Sequence, residues 1–279
     1  MSDFLAVLPQ YLLPKQLLTV LAGKFASARL GNLTTSVIRR FVAHYGVNMQ
    51  EAANPDLASY ASFNAFFTCP LNDGARPLAN ATFISPVDGA ISQFGDIKHD
   101  SIFQAKGHSY STTALVGGDA ELAAQFNDGS FATLYLSPKD YHRIHMPCAG
   151  RLRRMIYVPG DLFSVNPTTA RGVPGLFARN ERVVCVFDSE FGQFVLTLVG
   201  ATIVGSMETV WHGMVNPPRT REIREWRYDD TVINLQQGEE MGRFLLGSTV
   251  VMLFPKNAFS FNQNWQATQT IRMGEAMGS

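Results

Sequence analysis

Residues 183–199 read Val-Val-Cys-Val-Phe-Asp-Ser-Glu-Phe-Gly-Gln-Phe-Val-Leu-Thr-Leu-Val, two apolar, β-prone runs separated by turn residues. Branched and aromatic residues over strand lengths, punctuated by Asp, Ser and Gly, predict a pair of strands. The same texture runs from about residue 83 onwards, in Phe83-Ile84, Ala90-Ile91-Ser92, Thr133-Leu134-Tyr135-Leu136 and the run 244–254. The stretch 105–130 is loop-rich, with one short helix expected around 120–126. Few long helical patterns interleave these strands, which disfavours a doubly wound parallel sheet. The expected class is α+β, with N-terminal amphipathic helices (1–67) followed by a mainly antiparallel β-rich body (68–279).

Upstream of the strands the periodicity changes. Pro14 suits the first turn of a helix, and Leu17, Leu18, Leu21 and Phe25 follow at helical spacing. A second helix is expected from a Thr34-Thr35 cap, through Val37, Ile38, Phe41, Val42 and Tyr45, to a stop at Gly46. Arg39 and Arg40 flank its apolar stripe. Helices of this kind either pack on the core or lie in a lipid interface with basic residues at the phosphates. A bilayer crossing is not expected: Gln10, Pro14, Lys15, Gln16 and Lys24 break the apolar run well before the ~20 residues it needs. Asp3 sits where a signal peptide would carry basic residues.

Composition sets outer bounds. Apolar residues make up 46% and charged residues 16%, enough for a sizeable core and against global disorder. Lys+Arg and Asp+Glu balance at 23 each, so no overall field recruits nucleic acid. Cys69, Cys148 and Cys185 are widely spaced and signal neither a disulfide framework nor a zinc knuckle. No metal is expected, and a reducing, cytosol-facing compartment is the simplest reading.

Three segments carry chemistry. The first is Leu246-Gly247-Ser248-Thr249, a Gly-Ser inside an otherwise apolar strand run. It is either a β-bulge or a place where Ser248 reaches a carbonyl, its own upstream one included, across a Cβ-free Gly247. The second, Ser85-Pro86-Val87-Asp88-Gly89, puts an acid in a turn among apolar residues. The third, 138–147, holds His142 and His145 between prolines, expected as a shaped loop that can serve two tasks. A metal site is the rival for His-x-x-His, but no nearby Cys or clear third carboxylate supports it.

Asp88 in SPVDG, the histidines in YHRIHMP and the LGST of 246–249 together resemble the bacterial phosphatidylserine decarboxylases. The resemblance continues through FNAFFTCPL and ARPL (63–78), VPGDLFSVN (158–166), LFARNERVV (176–184), VGATIVGSMETVW (199–211) and GEEMGRFLLGST (238–249). One departure is Cys69, where family members commonly carry a basic residue. The resemblance implies a proenzyme that cuts itself between Gly247 and Ser248, with His145 as base, Asp88 as its partner, and Ser248 becoming an N-terminal pyruvoyl group. It implies that this pyruvoyl forms a Schiff base with phosphatidylserine and drives its decarboxylation to phosphatidylethanolamine and CO2, with His142 as proton donor. Ser164 is a weaker candidate for the head group, a strand-end serine being the plainer reading.

The resemblance also implies partners: the large chain (1–247) and small chain (248–279) of one proenzyme, and phosphatidylserine in a membrane. Oligomeric state is left open, a homodimer included. Extracting a two-chain lipid costs ~0.8 kcal/mol per CH2, on the order of 20 kcal/mol or more in total, beyond what a soluble pocket recovers. The expected place is therefore peripheral, on the cytoplasmic face of the cell membrane, with residues 1–45 as an interfacial anchor. Two rivals stand beside this. A serine hydrolase would use the same residue types but lacks a G-x-S-x-G elbow. A lipid-docking module would use the Gly-Ser only as a bulge.

Overall fold

The computed structural model describes residues 3–203, 206–216, 219–245 and 249–279. In chain order it has α1 (Asp3–Leu12), α2 (Lys15–Ser27), α3 (Asn32–Tyr45), α4 (Phe63–Phe67), β1 (Phe83–Ile84), β2 (Gly89–Asp96), β3 (Ser101–Ala105) and β4 (His108–Ser111). Next come α5 (Thr112–Leu115), α6 (Ala120–Ala124), β5 (Ser130–Tyr135), β6 (Arg143–His145), β7 (Gly150–Val158), α7 (Pro167–Gly172), α8 (Leu176–Arg179), β8 (Arg182–Ser189) and β9 (Gly192–Val199). The remainder is strand: β10 (Met207–Thr209), β11 (Gly213–Met214), β12 (Arg224–Arg227), β13 (Asn234–Leu235), β14 (Glu240–Phe244), β15 (Thr249–Phe254), β16 (Thr270–Ile271) and β17 (Ala276–Gly278).

The 183–199 stretch forms the β8–β9 hairpin, turned around Ser189 and Gly192. It sits in a large antiparallel sheet of order β12-β7-β8-β9-β15-β5-β2-β16, with β13 also on β7. Side chains alternate across this sheet, and both faces are covered. Val183, Cys185, Leu196, Leu198, Val250 and Met252 face one core, shared with the smaller sheet β11-β10-β14-β6. Val184, Val186, Val195, Val251 and Leu253 face a second core under α1 and α5–α8. Burial on both sides is why these strands read as unbroken apolar runs rather than an apolar/polar alternation.

The helical segment is interrupted between α3 and α4. After α3 the chain runs irregularly to residue 62 apart from one 3-10 turn, because Asn54 and Asp56 accept the N–H groups of Asp56 and Ala58 in tight side-chain turns. Gly46 ends α3 at φ 67°, as expected, but the helix begins at Asn32 and Thr34 bonds back to the Leu30 N–H. The 105–130 stretch also holds more than one helix: α5 and α6 both lie there, beside the β3–β4 hairpin, whose turn residues Lys106 and Gly107 have positive φ. The two helical stripes have opposite fates. Ile38 and Phe41 of α3 pack with Phe63, Phe66 and Phe67. On α2 the buried residues are Thr19 and Ala26, while Leu17, Leu21 and Phe25 stand about half exposed, as do Leu5 and Leu13 nearby.

Candidate active site

Strand register brings the chemistry-bearing segments together. Tyr135, the last residue of β5, lies opposite Ala90 on one side and Thr249 on the other. Asp88 and Gly89 therefore enter β2 beside the end of β5, and the chain leaving β5 turns through 137–142 into the histidines. Thr249 also faces Val199 at the end of β9. Leu246, Gly247 and Ser248, the expected cleavage site, lie outside the described residues. Their neighbours Leu245, bonded to the Ser206 carbonyl, and Thr249 are described.

A Cβ on Gly89 would come 2.3 Å from the Tyr135 carbonyl oxygen, so only glycine lets the Asp88 turn approach β5 this closely. The His145 N–H donates to the Pro86 carbonyl at 2.9 Å, tying the histidine strand to the same turn. The expected loop at 138–147 is half strand: Arg143–His145 pairs with β14, which the flanking prolines permit because they lie outside the ladder.

Asp88 is buried, and its carboxylate is held by the Arg76 fork, Nε at 2.9 and 3.1 Å and Nη2 at 2.5 Å, and by the Met273 N–H at 2.9 Å. Arg76 also reaches Glu51 at 2.7 Å. Burial opposes the guanidinium charge, but hydrogen bonds and attraction from Asp88 and Glu51 outweigh it and hold the Arg76 pKa above its usual value. The bonds of the His145 ring run elsewhere, Nδ1 to the Gly238 carbonyl at 2.8 Å and Nε2 to the Tyr141 hydroxyl at 3.3 Å. The direct Asp88–His145 pairing expected from the resemblance is thus not among the contacts of either side chain here. The physical reason is competition, since a planar guanidinium matches a carboxylate at two points and an imidazole at one.

Burial disfavours the charged form of both histidines. A carbonyl can only accept, so the Gly238 contact puts the His145 proton on Nδ1 and leaves a lone pair on Nε2. Burial lowers the His145 pKa, with the bond to the Gly238 carbonyl, then the charges of Glu240 and Asp88, pulling the other way. His142 is more enclosed: Nδ1 bonds the Asp140 carbonyl at 2.6 Å and the ring lies 4.1 Å from that of Phe67. Its Nε2 is buried with no hydrogen-bond partner among the described residues, and burial pushes its pKa down to about 3. Asp140 holds the turn by accepting the Ser137 N–H while its own N–H returns to the Ser137 carbonyl.

Two cavities flank this cluster. One, about 260 Å³, is lined by Arg76, Asp88, Cys69, Asp140, Tyr141 and Arg272. The other, about 210 Å³, is lined by Ser164, Tyr135, Tyr45, Phe41, Phe67 and Ile203. Ser164 thus sits in a loop on a cavity wall rather than at a strand end, and Phe67, which packs on the His142 ring, lines the same cavity. At Cys69, the neighbouring Thr68 carbonyl accepts from Arg143 at 2.8 and 2.9 Å, so a positive charge stands next to the substituted position. Among the described residues no group of three or more His, Cys, Asp or Glu is placed to hold a metal. Reading the sequence for roles missed Arg76, Tyr141, Phe67 and the Gly238 carbonyl. The ARPL, YHRIHMP and FNAFF stretches that carry the first three were visible, but a hydrogen-bond partner distant in sequence was not.

Arg76→Leu tests the ion network. It leaves the Asp88 carboxylate buried without its charge partner, and a loss of about 3–5 kcal/mol in unfolding free energy is expected. A denaturant midpoint unchanged from wild type would show that the network contributes nothing to the fold.

A family model described as phosphatidylserine decarboxylase matches residues 63–279, and a second, described as PSD, matches residues 5–46. The chain is 77% identical over 279 residues to a phosphatidylserine decarboxylase proenzyme of Dechloromonas aromatica (strain RCB), covering 100% of this chain and 99% of the relative. It is 73% identical over 278 residues to one from Azoarcus sp. (strain BH72), covering 100% and 96%. A third, from Acidovorax ebreus (strain TPSY), is 71% identical over 277 residues, covering 99% and 98%. On this match along its whole length, the chain belongs to the phosphatidylserine decarboxylase family and is an enzyme of the decarboxylase class.

Proposed function

We propose that this chain converts phosphatidylserine to phosphatidylethanolamine and CO2 after cutting itself between Gly247 and Ser248. The observation that carries the reading is the convergence of Gly89, Tyr135 and Thr249 at one sheet end, with His145 tied to the Asp88 turn through the Pro86 carbonyl and Ser164 in the cavity that Tyr135 lines. The name proenzyme borne by its relatives supports self-processing. In that step the Ser248 hydroxyl attacks the Gly247 carbonyl, His145 Nε2 takes its proton, and the Gly247–Ser248 C–N bond breaks to leave an ester and a free Ser248 amine. Asp88, two residues beyond the Pro86 carbonyl that holds the His145 N–H, favours the resulting imidazolium through its charge. Loss of the Ser248 α-proton expels the Gly247 carboxylate, which cuts the chain and leaves a dehydroalanine whose imine form is hydrolysed to the keto group and ammonia. The small chain stays bound because β15 is paired on both sides and fully buried.

The residues fit a pyruvoyl group derived from Ser248. Thr249 Oγ1, next in the chain to Ser248, and His142 Nε2, on the residue whose carbonyl accepts the Phe244 N–H, are buried polar atoms without a partner among the described residues. When present, such a group supplies a keto function that accepts the electron pair left by departing CO2. The protein's own part is to hold the head group near Ser164 and to move a proton. A neutral His142 cannot act first as an acid. It gives a proton to the α-carbon that CO2 has left only after its Nε2 has taken one up from solvent, the proton that the overall decarboxylation consumes.

Residues 1–67 act as the lipid-associating segment and 68–279 as the catalytic body. Among the described residues no single helix is long and apolar enough to cross a membrane, though the pair Leu5–Leu12 and Lys15–Ser27, bent by 78°, has the length and apolar composition together. The exposed leucines of α1 and α2, with Lys15 and Lys24, suit a helix pair lying in the interface of the cytoplasmic leaflet. Intact-mass analysis of the purified, active protein tests the proposal. Two chains are expected, 1–247 and 248–279, the smaller with a blocked, keto-bearing first residue; activity from one unbroken chain would overturn it.

A further inference from the structure

Both helices with exposed apolar faces bond directly to the rim of the Ser164 cavity. From α1, the Gln10 Oε1 accepts the Ser164 N–H at 2.9 Å while its Nε2 donates to Thr169 Oγ1 at 3.1 Å. From α2, the buried Thr19 hydroxyl accepts the Ile203 N–H at 3.1 Å and donates to the Lys15 carbonyl at 2.7 Å. The two rims are joined to each other by Thr202 Oγ1, which donates to the Leu162 carbonyl at 2.5 Å.

Ile203 is unusual. Its φ is 70°, a left-handed conformation that a β-branched side chain resists, so its surroundings must impose it. Its side chain is half exposed and lines the cavity beside Ser164. The group that holds its N–H belongs to α2, a helix whose other face carries Leu17, Leu21 and Phe25 out of the protein. On α1 the packing is equally close: a Cβ on Gly172 of α7 would meet the Asp3 carbonyl oxygen at 2.9 Å and both Val7 methyls at 3.0 Å. Neither helix can shift on the body without moving a cavity wall.

We propose that Gln10 and Thr19 are positioning residues that carry the seating of α1 and α2 on a lipid surface to the substrate cavity, so that contact with a bilayer raises turnover there. This rests on the reading of the Ser164 cavity as the substrate site and of α1–α2 as lipid-facing. Contact with lipid stabilises the seated helices, the seated helices hold Ser164 and Ile203 in place, and a placed rim receives the head group.

The test uses the processed, full-length enzyme and a short-chain, water-soluble phosphatidylserine, with or without vesicles of phosphatidylcholine and phosphatidylglycerol that contain no substrate. Vesicle flotation measures seating, and CO2 release measures turnover. Wild type is expected to float with the vesicles and to turn over the soluble substrate faster in their presence. Thr19→Val and Gln10→Met, each close in volume to the original, should still float, yet lose about 2- to 10-fold of the vesicle-stimulated rate, the size of one or two hydrogen bonds. Thr19→Ser and Gln10→Glu keep the accepting oxygen and should restore the stimulation, which a merely structural defect would not do. Stimulation that survives in both Thr19→Val and Gln10→Met overturns the proposal, as does a wild type that floats without being stimulated. A wild type that does not float overturns the lipid-facing reading itself, and the proposal with it.

Discussion

Ser248→Ala is expected to remain a single chain of 279 residues and to release no measurable CO2 from phosphatidylserine. Alanine has no oxygen to attack the Gly247 carbonyl, so neither the cut nor any carbonyl derived from residue 248 can arise. The fold should be untouched. Strand β15 is anchored from Thr249 to Phe254 by pairing with β5 and with β9, and none of that pairing uses the residue 248 side chain. Gel electrophoresis, intact mass and a thermal melt check the three parts separately. A Ser248→Ala protein that is cut like wild type would end the self-processing reading. One that stays whole yet decarboxylates would end the pyruvoyl reading while leaving self-processing intact. The lipid-docking module considered from the sequence predicts no change in any of the three.

The second large effect separates the histidines. His145→Ala is expected to stay uncut, because it removes the lone pair that Nδ1–H donation to Gly238 leaves on Nε2. His142→Ala is expected to cut itself normally and then to lose roughly 10²–10⁴-fold in decarboxylation, the usual weight of one positioned proton-transfer group. The pH dependence has a definite sign. Burial lowers the His145 pKa below the ordinary ~6.5, so the base stays unprotonated through neutrality. Self-cleavage should be flat near pH 7 and slow only on the acid side, as Nε2 takes up a proton. A cleavage rate that falls as pH rises from 6 to 8, or normal processing in both variants, would show that these roles are misassigned. Because His142 packs on Phe67 and fills buried space, a melt of His142→Ala should accompany the kinetics.

Much of this was readable before any coordinates. The 183–199 runs and the stop at Gly46 are local signals, set by side-chain branching and backbone freedom within a few residues. Thr34-Thr35 misled as a helix start because a threonine caps in either direction along the chain, and here Thr34 serves the Leu30 N–H. The second short helix and the hairpin in 101–115 were missed because four- and five-residue elements are held by burial of Ile102, Tyr110 and Leu115 and leave too few residues for a period to show.

Sequence alone determined the class of the fold and the family, because each of those depends on residue type and near spacing. Tertiary structure decided who holds whom. Arg76 took the carboxylate that His145 was expected to share, Gly238 set the tautomer from a place 93 residues away, and α2 turned its leucines outward while giving Thr19 to the cavity rim. Hydrogen bonds and ion pairs of that kind are chosen by three-dimensional proximity and by competition among donors, and neither quantity is written in the order of the residues.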